Sequence, residues 1–450
     1  MTSYRIMRFS HLAYPEARNM FAAEVPDPNG LSYREIQEKL FSLSLVYSNS
    51  FSRAMIDLGN EAHEVVYDLE PMQKAWGREI GVKYEGNDWA IPIALRQIAT
   101  LKPDVIFFQD MTLPYTFRQY VKDMFPFVRL TLGMRSFPSL FDELRGFDVF
   151  FTGAPLLVEI FKWHGLEARL LYHSFDDHVL SKLERDFGPT VDPDINFSFV
   201  GSSGCNRGLA QSDRYWALHE LVKETDIKLW LDEKIEEPEK EEIPQPDAGL
   251  EVPTVEIEPQ AVQTSAAAAE IESLSLWARM KRLIRPYNNE PEAAEEVRAD
   301  QPAPEMAVPE EPENKRDDPT IPLRKLFPDR YQGTVFGLDM YRILRRSKVT
   351  FNRHVNLDRP EVGNMRMFEA TGVGACLLTD TGGNIRDLFE PDQEVLTYES
   401  VEECLEKYRY LMEHENIRRS IAAAGQRRTL TVHTMRRRCE VIDEIIRRKL

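Results

Sequence analysis

The chain has 450 residues, a hydrophobic content of 42% and a formal net charge of −18. This length suggests two or three domains that each bury a core, and it excludes collagen-like, fully disordered and disulfide-scaffold proteins. Its cysteines form no CxxC pair, so a zinc ribbon is excluded as well. The first residues lack the apolar stretch of a signal peptide, and no run of about 18 apolar residues occurs, so we expect a cytoplasmic protein.

The negative charge is concentrated in one segment. Residues 232–318 contain 24 Asp and Glu against 9 Lys and Arg, a net charge of −15, so the rest of the chain carries only −3. The segment also holds 11 of the 28 prolines. Such a composition cannot offset the entropy of ordering, and it predicts a disordered acidic insert. The near-neutral remainder is compatible with an anionic small ligand, whereas no nucleic acid partner is expected.

One amphipathic stretch interrupts the insert. In residues 273–286, SLSLWARMKRLIRP, one helical face would carry Leu276, Met280, Leu283 and Ile284, with basic residues around it. It is either a transient helix without a partner or a docking helix for a partner or an anionic membrane surface.

Before the insert, short apolar runs alternate with amphipathic stretches, as in α/β proteins. The apolar runs predict the six strands of one doubly wound sheet, at residues 4–11, 63–68, 105–108, 128–132, 148–152 and 168–172. Long helices are predicted at 33–58 and 90–101. Residues 1–190 are therefore predicted to form an N-terminal Rossmann-like domain on the acceptor side.

A second unit of the same kind begins at Ile195 and resumes after the insert. Its predicted strands start at 195 and lie at 227–231, 348–352, 375–379 and 394–398. Its predicted helices lie at 212–224, 338–346, 364–372, 384–389, 401–413 and from 416 onward. Residues 195–231 and 319–432 would form a C-terminal Rossmann-like domain that binds a nucleotide sugar, and 433–450 a helix that packs back on the first domain.

A glycine-rich turn follows the strand that begins at Ile195. Glycines such as Gly201 and Gly204, with Ser202 between them, let backbone N–H groups approach an anion, and the next helix adds the positive end of its dipole. Arg207 could contribute a bidentate phosphate contact. An ordinary βα loop explains the same residues equally well.

Two glutamates precede a buried strand in the second unit. If the segment is helical, Glu361 and Glu369 lie about two turns apart. A carboxylate at Glu369 could accept both hydroxyls of a ribose, because vicinal hydroxyls present two donors to an acceptor-only group. The neighbouring candidates are Asn364, Arg366, Gly382, Gly383 and Asn384.

Polar side chains also follow the predicted strands of the first unit. His11, Asp110, Arg135 and His173 stand at or just after strand ends, where a catalytic base or an acceptor-binding residue would lie. A base within hydrogen-bond reach of an acceptor hydroxyl would suit an inverting transfer. Each of them could instead be a capping or turn residue.

The block NMRMFEATGVGACLLTD, continued by RDLFEPDQEVLTYES and IAAAGQRRTLTVHTMRRR, closely resembles the C-terminal domain of spore maturation protein CgeB-like glycosyltransferases. The resemblance covers residues 320–440 strongly and 195–231 less specifically. It implies a group 1 glycosyltransferase of GT-B fold, in which two Rossmann-like domains face each other across a cleft.

The resemblance also implies site roles. Glu369 would bind the donor ribose, and Asn364 and Arg366 would line the donor pocket. The phosphate-side turn would be Gly201, Ser202 and Arg207, and the glycine turn beside the donor Gly382, Gly383 and Asn384. Glu361 falls where the first glutamate of the E-x7-E pattern of retaining relatives stands, and His433 matches a C-terminal signature with a structural role.

The predicted function is therefore transfer of a sugar from a nucleotide diphosphate sugar to a protein or glycan acceptor. No cofactor besides this co-substrate is expected, and the absence of a DxD-type motif at a strand end predicts metal independence. Two alternatives remain: a non-catalytic assembly protein that recruits partners through the acidic insert, and a nucleotide-sugar epimerase-like enzyme.

Overall fold

The computed structural model describes residues 3–45, 48–137, 141–189, 192–207, 209–233, 319–355 and 361–450. Almost all of the predicted insert, including 273–286, lies outside these residues. Asp232 and Glu233, which the sequence assigned to the insert, instead pack on the second sheet. The backbone N–H of Asp232 donates to the Gly201 carbonyl, and the buried Glu233 carboxylate accepts from the backbone of Leu323 at 2.9 Å.

The N-terminal half is built on a sheet of six parallel strands, in the order β2-β1-β3-β4-β5-β6. The strands are β1 (Arg5–Ser10), β2 (Glu61–Val66), β3 (Val105–Phe108), β4 (Leu130–Met134), β5 (Val149–Thr152) and β6 (Ala168–Leu170). Strands such as β3, VIFF, are apolar throughout because both faces of the sheet are covered.

The C-terminal half is built on a second parallel sheet, in the order β11-β10-β9-β7-β8. Its strands are β7 (Ile195–Gly201), β8 (Lys228–Leu231), β9 (Ser347–Asn352), β10 (Cys376–Asp380) and β11 (Leu396–Tyr398). The predicted fold class is confirmed in that the chain holds two Rossmann-like units, each built on a doubly wound parallel sheet.

Helices cover both sheets. In the first half they are Pro15–Glu24, Tyr33–Ser42, Ser50–Asp57, Glu70–Ile80, Ala90–Leu101, Tyr115–Met124, Phe141–Leu144, Pro155–Trp163 and His178–Phe187. In the second half they are Leu209–Glu224, Leu323–Leu326, Gly337–Arg345, Met365–Gly372, Ile385–Leu388, Val401–Glu413, Glu415–Val432 and Met435–Lys449. Within the described ranges, none is both long and apolar enough to cross a membrane.

The helix prediction at 33–58 was wrong because it joined two helices. The segment is divided into Tyr33–Ser42 and Ser50–Asp57, and Ser44, with a φ of 50°, takes the left-handed conformation that ends the first. From 416 onward the chain also forms two helices, and the second corresponds to the closing helix expected at 433–450. The Thr434 side chain caps this helix by accepting from the backbone N–H of Arg437.

The last helix, Met435–Lys449, packs on the first sheet. Its buried side chains Cys439, Ile442 and Ile446 join a core with Ile6 of β1 and Phe107 of β3. The chain thus crosses between the halves twice, and the crossings lie side by side. The backbone N–H of Phe175 donates to the His433 carbonyl at 2.8 Å, and the N–H of Met435 donates to the Phe175 carbonyl at 3.0 Å.

Candidate functional site

Each sheet has one point at which the strand order reverses. It lies between β1 and β3 in the first sheet and between β7 and β9 in the second. At such a point the loops that leave the two strands turn in opposite directions and open a crevice at their carboxyl ends, where ligands of doubly wound proteins bind. These two crevices are therefore the candidate ligand-binding sites of the two sheets.

The first crevice brings together two of the predicted catalytic residues. His11 follows β1 and Asp110 follows β3, and His11 Nδ1 lies 2.7 Å from Asp110 Oδ2. The other Asp110 oxygen accepts from the backbone N–H of Thr112 at 3.0 Å and from the Thr112 hydroxyl. The carboxylate is thus fixed on both sides, and it orients the imidazole.

This pairing changes the pKa values of both groups. Burial alone would lower the pKa of His11, but the hydrogen bond and charge of Asp110, with the charge of Asp68, outweigh burial and raise it above its ordinary value. Burial would raise the pKa of Asp110, but the contacts with His11 and Thr112 outweigh burial and lower it. The pair can therefore hold a proton on the imidazole beside an ionised carboxylate.

The other two N-terminal candidates are not part of this pair. His173 follows β6, three strands beyond β3, and adjacent strands are roughly 5 Å apart. Burial, followed by the nearby Arg438 guanidinium, lowers the pKa of His173 to about 4, which keeps the ring neutral. Arg135 lies 3.5 Å from the Glu143 carboxylate.

The second crevice contains the glycine-rich turn. The Ser202 and Ser203 hydroxyls accept from the backbone N–H groups of Gly204 and Cys205, which keeps the turn tight. Gly204 has a φ of 91°, and a Cβ there would overlap the carbonyl oxygen of Gln211 in the next helix. Only glycine fits this position without a shift of the turn.

The candidate arginines are paired with carboxylates. Arg207 Nη2 lies 3.0 Å from Asp232 Oδ2, and Arg366 Nη1 lies 2.8 Å from the buried Glu369 Oε2. Arg366 also donates through Nε to the Val200 carbonyl of β7. Arg207 and Arg366 therefore do not make the crevice basic, because a carboxylate balances each positive charge locally.

Glu361 is placed away from the helix that carries Glu369. This helix begins at Met365, so the two glutamates do not stand two turns apart on one helix. The Glu361 carboxylate accepts from the backbone N–H of Leu156 at 2.8 Å, at the start of the helix Pro155–Trp163 in the other half. Glu361 is thus a contact between the halves.

The second glycine turn, Gly382 and Gly383, ends at a structural asparagine. The Asn384 side chain accepts from the Val362 N–H and donates to the Val362 carbonyl, both at 2.8 Å. Its Nδ2 also lies 3.3 Å from the Tyr172 hydroxyl of the first half. Asn384 therefore holds the loop before the helix Met365–Gly372.

Asn364 caps that helix, and residues that the sequence analysis missed surround it. Its side chain accepts from the Met367 N–H at 3.3 Å, and its own N–H donates to His354 at 3.1 Å. His354 follows β9 and contacts Asp380 at the end of β10. Their positions after strand ends are a signal that could have identified both.

Tyr14 connects the two crevices. It stands three residues after His11, and its ring lies 5.4 Å from that of Phe336, which belongs to the second half. Partial burial raises the pKa of Tyr14, as do the charges of Asp232 and Glu369, whereas Arg207 and Arg366 lower it. Tyr14 thus contacts the second half through its ring and senses the paired charges of the second crevice.

Among the described residues, no group of three or more His, Cys, Asp and Glu side chains could hold a metal ion. His433 is buried, and its Nε2 lies 2.7 Å from the Leu388 carbonyl. This contact places it in the packing between the last two helices and the core.

One protein-family model matches part of the chain. Residues 314–444 match the model of a glycosyl transferase-like family. No curated protein matches the chain. The matched segment contains β9, β10, β11 and the pair Arg366 and Glu369.

Several solved structures resemble the chain over its whole length. HepE of Anabaena, in complex with UDP and glucose, shares 11% identity, with 98% of this chain and 99% of that chain covered and a TM-score of 0.46. A glycosyltransferase from Rickettsia africae shares 8%, with 100% and 99% covered and a TM-score of 0.49. Sucrose-phosphate synthase of Thermosynechococcus elongatus shares 9%, with 99% and 98% covered and a TM-score of 0.48.

Proposed function

We propose that this protein is a glycosyltransferase that moves a sugar from a nucleoside diphosphate sugar to a hydroxyl group of a protein or glycan. The observation that carries the proposal is the pair of His11 and Asp110, 2.7 Å apart at the crevice of the first sheet, in a chain whose residues 314–444 match a glycosyl transferase-like family model. A base at the acceptor-side crevice and a donor site at the opposite one are the two parts that such a transfer needs.

In the proposed reaction, His11 Nε2 accepts the proton of the acceptor hydroxyl as its oxygen attacks the anomeric carbon. Asp110 stabilises the imidazolium that forms. The bond from the anomeric carbon to the diphosphate breaks, with oxocarbenium character in the transition state. Attack from the side opposite the leaving group inverts the anomeric carbon.

On the donor side, Glu369 is proposed to accept from the ribose hydroxyls, with Arg366 holding its carboxylate in place. Backbone N–H groups of Gly201, Ser202, Gly382 and Gly383, together with Arg207, are proposed to stabilise the diphosphate as it leaves. Such fixed donors can do what a metal ion does elsewhere, so we propose that the reaction needs no metal. The proposal assigns no step to Glu361, whose carboxylate contacts the backbone of Leu156.

Calorimetry with a panel of nucleotide sugars, including UDP-glucose, tests the donor site. We expect Glu369→Ala to weaken binding about tenfold or more, because a buried charge-assisted contact is lost. Glu390→Ala, which removes a partly exposed carboxylate paired with Arg386, is the control and should bind like the wild type. No binding to any donor by the wild type would favour a non-catalytic assembly protein. Loss of binding or transfer in the presence of EDTA would contradict metal independence.

A further inference from the structure

His354 has both ring nitrogens engaged beside the second crevice. Its side chain is only 11% exposed, and Nδ1 lies 2.7 Å from Asp380 Oδ1. Nε2 lies 2.9 Å from the backbone nitrogen of Gly363 and 3.1 Å from that of Asn364. Because backbone N–H groups can only donate, Nε2 is the acceptor, and Nδ1 carries the hydrogen and donates to Asp380. The ring is thereby fixed as one neutral tautomer.

The hydrogen bonds of His354 belong to a closed ring. Asn364 Nδ2 donates to Asn352 Oδ1 at 3.0 Å, and Asn352 Nδ2 donates to the Thr379 hydroxyl at 2.9 Å. The Thr379 hydroxyl donates to Asp380 Oδ1 at 3.2 Å, and Asp380 accepts from His354, which returns to Asn364. Asn352 and Thr379 are buried, so water cannot replace these partners, and each bond constrains the next.

This ring of hydrogen bonds fixes the start of the helix Met365–Gly372. Asn364 is its N-cap, with an extended backbone and a side chain that accepts from Met367. The two residues of the proposed donor site, Arg366 and Glu369, lie in the first and second turns after this cap. A change in the conformation of the cap would therefore disturb Arg366, which donates to the Val200 carbonyl of β7, and Glu369, which pairs with Arg366.

We propose that His354 is a positioning residue of the donor site. It acts through the acceptor at Nε2, which holds the N–H groups of Gly363 and Asn364 and so sets the orientation of Arg366 and Glu369. The effect on the donor rests on the function proposed above, whereas the effect on the helix start does not, and the two are tested separately.

The helix start is tested in the free protein with two substitutions. His354→Gln can place an amide oxygen near the Nε2 position and keeps the acceptor, whereas His354→Asn reaches only the Nδ1 position and loses it. We expect amide hydrogen exchange at residues 363–367 to become about tenfold faster in His354→Asn, through easier local opening, and to stay near the wild-type rate in His354→Gln. His63→Asn, in the first sheet, is the control. Equal rates in the two His354 variants would overturn the proposal.

Nitrogen NMR of the wild-type imidazole provides a measurement that does not depend on how the variants fold. We expect Nδ1 of His354 to be protonated and Nε2 to be bare. A hydrogen on Nε2 would overturn the proposal.

Donor affinity is then measured with the same variants. We expect His354→Asn to bind a nucleotide sugar about tenfold more weakly, or about 1.4 kcal/mol, and His354→Gln to bind like the wild type. A wild type that binds a donor no better than His354→Asn would overturn the positioning role. A wild type that binds no donor would contradict the proposed function, while exchange and NMR would still decide what His354 holds.

Discussion

His11 and His354 both contact an aspartate through Nδ1, but they differ at Nε2. In His354 this nitrogen accepts from two backbone N–H groups. For Nε2 of His11, the described part of the chain supplies no hydrogen-bond partner, so this nitrogen can meet an acceptor hydroxyl. The same pair of residue types thus provides a structural element at one crevice and a candidate base at the other.

The pair of His11 and Asp110 predicts a pH-dependent stability. The contacts that raise the pKa of His11 stabilise the fold fully at pH values below about 6.5, the ordinary pKa of histidine. This contribution is lost as the pH rises through the pKa of His11 in the folded protein. The contacts that lower the pKa of Asp110 stabilise the fold at pH values above about 3.9, the ordinary pKa of aspartate. Asp110→Asn should therefore cost about 1–2 kcal/mol near pH 5 and less near pH 9, as measured by chemical unfolding.

The same substitution should lower the pKa of His11, because burial then acts without the carboxylate. NMR titration of the ring checks this directly. The pH at which transfer reaches half its maximum should fall with it, and the maximal rate should drop. Asp57→Asn, at an exposed carboxylate, is the control, and a His11 titration unchanged in Asp110→Asn would contradict the assignment.

The sequence predicted those site residues that stand directly after strands. His11 and Asp110 are 99 positions apart, yet parallel pairing of β1 with β3 brings them together. The pairing of Arg207 with Asp232 could not be predicted, since it depends on β8 lying beside β7. The position of His354 just after β9 was visible in the sequence, but its contacts with the backbone N–H groups of Gly363 and Asn364 were not.

At the scale of elements, strands were easier to predict than helix ends. The apolar runs of both sheets correspond to strands because helices cover both faces and most strand side chains are apolar and buried, although buried polar residues such as Thr350 and Thr379 also occur in them. The break after Ser42 was not predicted, since apolar residues continue through Leu43 and Leu45 and both are in contact with the core. The break at His433 depends on the Thr434 cap and on the Phe175 backbone, which is distant in sequence.

The turn after β7 predicts a difference between two glycines that have nearly the same φ angle. Gly204 and Gly333 have φ angles of 91° and 92°, but only at Gly204 would a Cβ overlap other atoms. Gly333→Ala should cost about 1 kcal/mol through its backbone conformation alone. Gly204→Ala should cost roughly 2 kcal/mol more, because the turn must move away from Gln211. Urea unfolding of both variants measures the difference, and equal losses would show that the overlap is relieved without cost.

At the scale of the whole molecule, Arg438 joins the two chain crossings. It donates to the carbonyls of Tyr172 and His173 on one crossing and of Val432 on the other, and it contacts His433 Nδ1 at 2.9 Å. Burial lowers the pKa of this guanidinium to about 10. One side chain thus fixes the backbone of both connections between the halves.

Arg438→Ala should therefore destabilise the protein by roughly 2–4 kcal/mol, because several carbonyls lose their donor. Arg437→Ala is the matched control. Its side chain is exposed and paired with Glu440, so the expected change is within about 0.5 kcal/mol. Thermal unfolding of both variants provides the measurement. A loss in Arg438→Ala no larger than in Arg437→Ala would contradict the role of Arg438 at the crossings.

The packing of Met435–Lys449 on the first sheet has a consequence for synthesis. Ile442 and Ile446 fill the core beside Ile6 and Phe107, so the N-terminal half completes this core only after the ribosome has made the last helix. Until then, this core is packed by the helix Ser50–Asp57 but lacks the side chains of the last helix. We therefore expect the two halves to reach their final structure together, because the first half cannot finish packing before the second half has been made.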